Sequence, residues 1–160
     1  MNLDFATDKF VGMYRGQVLD NDDPDKLGRI KVNLFGLTDG IDAEDLPWAV
    51  PAMPLFAGAG SGFGYFAVPK IGTYVFVFFE ASDIYQPIYF AEATDGIHGL
   101  PTERLTNYPN TKVIKTPNGI VITINDFSKE ICVNHPSGSY LKIDTAGNII
   151  IQGTTIHLNP

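Results

Sequence analysis

The chain has 160 residues, of which 44% are hydrophobic and 18% charged. This length suits one ordinary domain or two small ones, and the composition is not that of a disordered protein. Acidic residues outnumber basic ones by 18 to 11, which gives a formal charge of −7. Such a charge argues against binding to nucleic acid or to an anionic membrane, since both would repel it.

The negative charge is confined to the first part of the sequence. Residues 1–93 contain 13 acidic and 6 basic side chains, whereas residues 94–160 contain 5 of each. This change in composition is the first indication of a domain boundary. Because the N-terminus lacks the features of a signal peptide, we expect synthesis in a cytosol. The single cysteine, Cys132, excludes an internal disulfide, and its strand-like surroundings favour a small packed side chain.

Residues 1–10 are interpreted as a tail, and residues 11–93 as five strands. The first strand leads through an acidic turn into residues 28–34, where apolar and polar residues alternate, which predicts an antiparallel hairpin. The prolines of residues 46–54 predict an edge strand or an extended crossing. Residues 75–79 are apolar on both faces, and residues 86–91 complete the set. These features predict an all-β fold with a small closed or nearly closed barrel.

Residues 94–112 are interpreted as a linker, and residues 113–160 as short strands separated by turns. Fewer than about 50 residues rarely form a stable monomeric core without a disulfide or a metal. Short β-branched strands would also leave adhesive edges. We therefore expect an obligate oligomer in which several copies supply one another's missing contacts.

Motifs for metal or nucleotide binding are incomplete. Residues 20–25 lack the spacing of a calcium loop and are interpreted as a solvated hairpin tip. The glycine loop at residues 58–64 has Phe63 where a dinucleotide fingerprint needs glycine, so a flexible or closely packed loop is favoured. The histidines are too dispersed to predict a metal site within one chain: His98, His135 and His157.

Two further groups of residues, one acidic and one aromatic, give weaker support to functional hypotheses. Glu80, Asp83 and Glu92 lie near the barrel strands and could pair as catalytic carboxylates, although acidic residues are common in this region. A group of aromatic side chains could stack on bases or sugars, but without nearby basic residues core packing or a protein interface is favoured. These aromatic residues are Trp48, Phe56, Phe63, Tyr65 and Phe66.

An ordered series of motifs lies at residues 16–18, 21–24, 28–32, 46–49, 69–77, 110–119, 135–144 and 147–148. The earlier motifs resemble the OB domain of baseplate spikes. Such domains occur in the central spikes of contractile-tailed phages and in the valine-glycine repeat spikes of type VI secretion. The later motifs resemble the start of the trimeric β-helix shaft that follows this domain.

The resemblance implies three chains around a common axis. Residues 11–93 would form a five-stranded OB-fold barrel docked beneath a baseplate hub protein. Residues 113–160 would form a short intertwined trimeric β-helix or β-prism shaft that points towards the host envelope. The residues predicted at the trimer interface are Trp48, Phe78, Tyr140, Leu141, Ile143, Ile149 and Ile151.

The sequence departs from the family in two ways. Some members carry a muramidase domain between barrel and shaft, but here only the predicted linker stands there, so we expect no enzymatic activity and no cofactor. Many shafts end in a metal-binding His-x-His tip, which this sequence lacks. We therefore expect a separate spike-tip protein or a larger spike elsewhere.

The leading hypothesis is a structural virion protein in the tail baseplate, made in the host cytoplasm. It would cap the tail tube and assist envelope puncture mechanically, with only transient contact with the envelope. The alternative is a monomeric OB-type module that binds an oligosaccharide or single-stranded nucleic acid. A third hypothesis is a cell-wall hydrolase with paired carboxylates.

Overall fold

A computed structural model describes residues 10–54, 62–94 and 99–158. The chain divides into two compact units, Met1–Asp95 and Gly96–Pro160. Regular structure within the described residues consists of ten β-strands and three short 3₁₀ helices, which confirms the predicted all-β class. No helix in the described ranges is both long and apolar enough to cross a membrane.

The N-terminal unit contains one five-stranded sheet. Its order is β2-β1-β4-β5-β3, and all neighbours are antiparallel except the parallel pair β3 and β5. The proline-rich stretch supplies the two-residue edge strand β3, where a missing amide is tolerated. The bounds of the strands are β1 Tyr14–Asp20, β2 Lys31–Leu34, β3 Val50–Pro51, β4 Tyr74–Phe79 and β5 Pro87–Glu92.

A single bridge joins the two edges of this sheet. Ile30 directly precedes β2 and Ala49 directly precedes β3, and the two residues pair antiparallel. The amide of Ile30 donates to the carbonyl of Ala49 at 3.1 Å, and the amide of Ala49 donates to the carbonyl of Ile30 at 2.7 Å. The sheet is therefore curled back on itself, with an inner and an outer side.

The inner side of the curled sheet is the hydrophobic core. Val75, Val77 and Phe79 of β4 point inwards, since alternate residues of a strand face opposite sides. Tyr89 is also buried, and its hydroxyl donates to the carbonyl of Gly28 at 2.6 Å. Burial raises the pKa of Tyr89 to about 12. The buried cluster comprises Val18, Ile30, Val32, Leu34, Ala49, Val75, Val77, Phe79 and Tyr89.

One glycine sets how closely β1 and β2 approach each other. A Cβ atom on Gly16 would lie 2.4 Å from the carbonyl oxygen of Asn33 and 2.6 Å from a methyl carbon of Val32. The first contact is with backbone, which cannot rotate away. Glycine at this position therefore permits the close pairing of the hairpin.

The turn between β1 and β2 is ordered around Asp23. Its carboxylate accepts hydrogen bonds from the amides of Asp25, Leu27 and Arg29, and from the Arg29 guanidinium at 2.5 Å. The hydrogen bond from the Arg29 side chain lowers the pKa of Asp23 well below its usual range, and the three amides add to this effect. The expectation of a solvated tip was wrong for Asp23, which is buried, although it holds for the exposed Asp22 and Asp25.

The C-terminal unit is a five-stranded antiparallel meander in chain order, β6-β7-β8-β9-β10. Gly119, Gly138 and Gly147 adopt positive φ angles in three of its turns. The segment read as a linker contains a 3₁₀ helix, Thr102–Leu105, that packs on β6. The bounds are β6 Thr111–Lys115, β7 Val121–Asn125, β8 Glu130–Asn134, β9 Tyr140–Ile143 and β10 Ile149–Gln152.

Candidate interaction surfaces

One side of the C-terminal meander carries apolar residues on all five strands. Lys112 of the edge strand β6 is the exception on this side. Directly paired residues of neighbouring strands lie on the same side of a sheet, so the register identifies the members of each side. Ile114, for example, pairs with Ile122, which pairs with Val133, which pairs with Leu141. We call this side the apolar face; it consists of Ile114, Ile122, Ile124, Ile131, Val133, Leu141, Ile143, Ile149 and Ile151.

The apolar face is open in the single chain. Seven of its nine side chains are exposed, from Val133 at 37% to Ile149 at 70%. Five strands of this length span roughly 20 Å by 13 Å. A contiguous apolar patch of this size approaches the largest that monomeric soluble proteins expose, and such patches often mark interaction sites. This side of the sheet is therefore the leading candidate for an interaction surface.

The opposite side of the meander is polar and makes its own contacts. Lys142 of β9 forms an ion pair with Glu130 of β8, and Lys115 of β6 pairs with Glu103 of the 3₁₀ helix at 2.7 Å. The hydrogen bond between Lys142 and Glu130 is the main cause that lowers the pKa of Glu130 and raises the pKa of Lys142. A shallow cavity of about 250 Å³ on this side is lined partly by Cys132 and Lys142. The charged side chains on this side therefore form their ion pairs within the C-terminal unit.

The structure separates the five interface residues predicted in this unit. Leu141, Ile143, Ile149 and Ile151 lie together on the apolar face. Tyr140 pairs with Asn134 and Gln152 on the polar side. Sequence reasoning missed the members from the first three strands of the meander, although their alternation with polar residues was a usable signal. These members are Ile114, Ile122, Ile124, Ile131 and Val133.

The outer side of the curled N-terminal sheet carries a second apolar cluster. Phe76 and Phe78 of β4 are half-buried and point away from the core. Phe90 of β5 lies between them, with ring centroids 6.1 Å from Phe76 and 5.8 Å from Phe78. Phe90 remains 39% exposed. Phe78 therefore lies on the outer side of the sheet, and its contact with a neighbouring subunit stays a prediction.

Trp48 has a role within its own unit. The Arg29 guanidinium carbon lies 5.7 Å from the centroid of its ring, and the Lys31 ammonium lies 5.0 Å from it. Both distances are in the range of cation–π interactions. Lys31 also donates to the carbonyl of Glu44 at 2.8 Å. Trp48 thus fastens the proline-rich stretch to β2, and its predicted place at a trimer interface stays a prediction.

The three candidate carboxylates do not converge. Glu80 and Asp83 follow β4, whereas Glu92 lies at the far end of β5, where it pairs with Val75. Glu92 lies five positions after Pro87, the first residue of β5, which is roughly 17 Å in an extended strand. Asp83 accepts hydrogen bonds from the amide of Tyr85 and from the Gln86 side chain, both at 2.9 Å, and these lower its pKa. Its visible role is to stabilise a turn.

The remaining candidates show no assembled centre. The Nδ1 atom of His135 hydrogen-bonds to the hydroxyl of Ser137 at 2.8 Å, and His98 lies outside the described residues. The part of the chain that the structure describes contains no group of three or more His, Cys, Asp or Glu side chains placed to hold a metal. Phe56 and most of the glycine loop at residues 58–64 also lie outside the described ranges.

The sequence of the N-terminal sheet matches a known family. Residues 14–92 match the family model described as the type VI secretion system/phage-baseplate injector OB domain. The match begins at the first residue of β1 and ends at the last residue of β5, so it spans the whole curled sheet. The N-terminal unit belongs to the injector OB domain family.

This match confirms the resemblance to baseplate spike OB domains that the sequence motifs predicted. The injector OB domain family is a structural family, so the match supports a baseplate-related structural role. None of the curated proteins matches the chain. The family match covers the N-terminal unit alone, and the C-terminal meander is interpreted from its own geometry.

Proposed function

We propose that the protein is a trimeric spike or hub component of a tail baseplate, and that it caps the tail tube and assists puncture of the host envelope. The match of residues 14–92 to the injector OB domain supports the baseplate role. The observation that carries the trimer is the apolar face of the C-terminal unit, which one chain leaves open. The number of copies follows from the resemblance of the later motifs to a trimeric shaft.

The chemistry of the apolar face favours copies of the same chain as its cover. Its nine side chains are all Ile, Leu or Val, so they can pack against the same face of another copy, and Lys112 on this side already pairs with Asp126. Covering roughly 260 Å² would contribute about 6 kcal/mol per chain, before the entropy of association is subtracted. The edge strands β6 and β10 also have one unpaired side each in the described sheet, which further copies can protect.

A trimer of such sheets is suited to a mechanical role. Three meanders with their apolar faces directed to a common axis form a β-prism whose core is shared between chains. Pulling one chain away would expose apolar surface on all three, so the assembly resists unfolding under load. Its partners would be a hub protein above the OB domain and a separate tip protein at the far end, in the tail baseplate of the virion or of a phage-derived injector.

Light scattering on the purified protein tests the proposal. We expect a mass of three times the 17.5 kDa of one chain. In the variant Ile151→Glu, a charge enters the apolar face, and we expect the monomer mass. The matched control is Ile150→Glu, because Ile150 is the adjacent residue of β10 but pairs with Lys142 on the polar side.

A trimer that persists in Ile151→Glu, or that is lost equally in Ile150→Glu, would contradict the assigned interface. A stable wild-type monomer would overturn the trimer. That result would favour the second hypothesis, a monomeric OB-type module for oligosaccharide or single-stranded nucleic acid.

A further inference from the structure

An apolar pocket opens into the core of the N-terminal unit. It has a volume of about 210 Å³ and lies between the segment that joins β2 to β3 and the loop that joins β4 to β5. Leu34, Val77 and Phe79 form its inner wall, and Ile41 and Ile84 contribute from the two connecting segments. An apolar cavity of roughly 150 Å³ accepts benzene, so this pocket can hold one large aliphatic or aromatic side chain.

The two segments around the pocket carry a strong negative charge. Residues 35–46 and 80–86 together contain six acidic side chains and no lysine or arginine. Asp45 itself lines the pocket. The acidic residues of these two segments, which we call the acidic rim, are Asp39, Asp42, Glu44, Asp45, Glu80 and Asp83.

Among the described residues, no ion pair neutralises a carboxylate of the acidic rim. Asp39 accepts hydrogen bonds from the Asn33 side chain at 3.0 Å and the Gly36 amide at 2.8 Å, and both donors are neutral. The donors to Asp83 are neutral as well. Among the described residues, Lys31 brings a positive charge close to residues 35–46. Its ammonium donates to the backbone carbonyl of Glu44 and lies over the Trp48 ring, so it does not pair with a carboxylate of the acidic rim. Asp45 therefore places a carboxylate at the apolar pocket itself, and the other five acidic residues add negative charge on the two segments that flank it.

The mouth also presents apolar surface for contact. Tyr85 is 79% exposed and Ile41 is 43% exposed, and both side chains line the pocket. An apolar anchor inside a pocket, with a polar rim that excludes water, is the arrangement in which few residues carry most of the binding energy.

We infer that this pocket is a docking site for a partner protein that inserts one large apolar side chain flanked by lysine or arginine. The volume of the pocket fits one large apolar side chain, and the acidic rim favours a positively charged segment around that side chain. A second copy of this unit is a poor occupant, because residues 1–93 carry a formal charge of −7 on every copy. Placing the partner in a baseplate rests on the proposed function, but the chemistry of the docking segment does not.

Binding of short peptides to the full-length protein, followed by NMR, tests the inference. The probe is acetyl-Lys-Lys-Phe-Lys-Lys-amide, and the two comparison peptides replace its Phe by Ala or its four Lys by Glu. We expect the probe to shift amide signals of Thr38, Ile41, Ile84 and Tyr85, with a Kd on the order of 0.1–1 mM for so small a ligand. Both comparison peptides should bind at least tenfold more weakly, and added salt should weaken the probe.

Two charge variants of the protein give a matched comparison. Asp42→Lys with Asp45→Lys reverses two exposed charges of the acidic rim and should weaken the probe at least tenfold. Asp22→Lys with Glu92→Lys changes the net charge equally at two exposed positions away from the pocket, and should leave the Kd within about twofold.

Each contrary result has a definite meaning. No binding of the probe, equal binding of the Glu peptide, shifts confined to another surface or equal losses in both charge variants would overturn the inference. The mass of the same samples separates this result from the proposed function. A trimer that does not bind the probe overturns only the docking site, whereas a monomer that binds it supports the site and overturns the trimer.

Discussion

The two units each contain a five-stranded sheet, but they bury their apolar residues differently. In the N-terminal unit, the bridge between Ile30 and Ala49 curls the sheet, and the inner side becomes a core. In the C-terminal unit, the only buried positions among the described residues are Val121 and Asn125. Equal numbers of strands therefore do not imply an equal core, because in the described residues no bridge joins the edge strands of the second sheet. The first sheet is completed by its own chain, whereas one chain leaves the apolar face of the second sheet open.

The largest expected effect comes from removing the C-terminal sheet. A chain that ends at Lys112 keeps the curled sheet with its core but loses all nine residues of the apolar face. We expect it to be monomeric by light scattering and to retain a cooperative thermal transition, since its core lies within one chain. A truncated protein that remains trimeric would place the main interface in the N-terminal unit, and one that is unfolded would show that this unit depends on the second.

A smaller effect is expected from a cavity in the N-terminal core. Ile30 is fully buried, so Ile30→Ala should lower the free energy of unfolding by about 2–5 kcal/mol. The trimer mass should persist under native conditions, because the apolar face is unchanged. Denaturant titration and light scattering on the same variant measure the two quantities.

The control for this substitution is Leu27→Ala, which removes a side chain that is 60% exposed in the same unit. It should change the free energy of unfolding by less than about 0.5 kcal/mol. Equal losses in the two variants would contradict the position of the core.

The smallest expected effect concerns acid sensitivity. The hydrogen bond from Arg29 lowers the pKa of Asp23 from its usual 3.8, so folding stabilises the ionised form. This stabilising contribution is fully present above about pH 4, near the pKa of Asp23 in the unfolded chain. It is lost as the pH falls from there towards the lower pKa of Asp23 in the folded protein. Asp23→Asn should therefore lower the Tm at pH 7 by several degrees and flatten its decline between pH 5 and pH 2.

Asp22→Asn provides the comparison for Asp23→Asn. It makes the same chemical change at the adjacent exposed residue, outside the network of Arg29. The Tm profile of this variant should follow that of the unchanged protein. Parallel profiles for all three proteins would show that Asp23 does not organise the turn.

Some of the fold followed from local patterns. The alternation of Ile30, Val32 and Leu34 with polar residues predicted a strand with one buried side, and the structure buries all three. Prolines predicted the edge position of β3. The doubly apolar β4 could not be oriented from sequence, because both of its sides are equally apolar. Only its pairing with β1 and β5 directs Val77 inwards and Phe78 outwards.

The candidate surfaces were only partly predictable. Four of the nine members of the apolar face were predicted as interface residues, but Tyr140 was grouped with them although it lies on the polar side. In strands this short, a shift of one residue exchanges the two sides, and the turns set the register. The burial of Asp23 was also missed, since it depends on an arginine that folds back across the turn.

By itself, the sequence determined the all-β class, the positions of most turns and the division of charge, since these depend on each residue and its near neighbours. Tertiary structure alone decided which apolar side chains fill a core and which remain open. That decision depends on the pairing of Ile30 with Ala49 and on the register of the second sheet, which bring together residues that are distant in the chain. The open apolar face and the pocket in the first unit are products of those pairings.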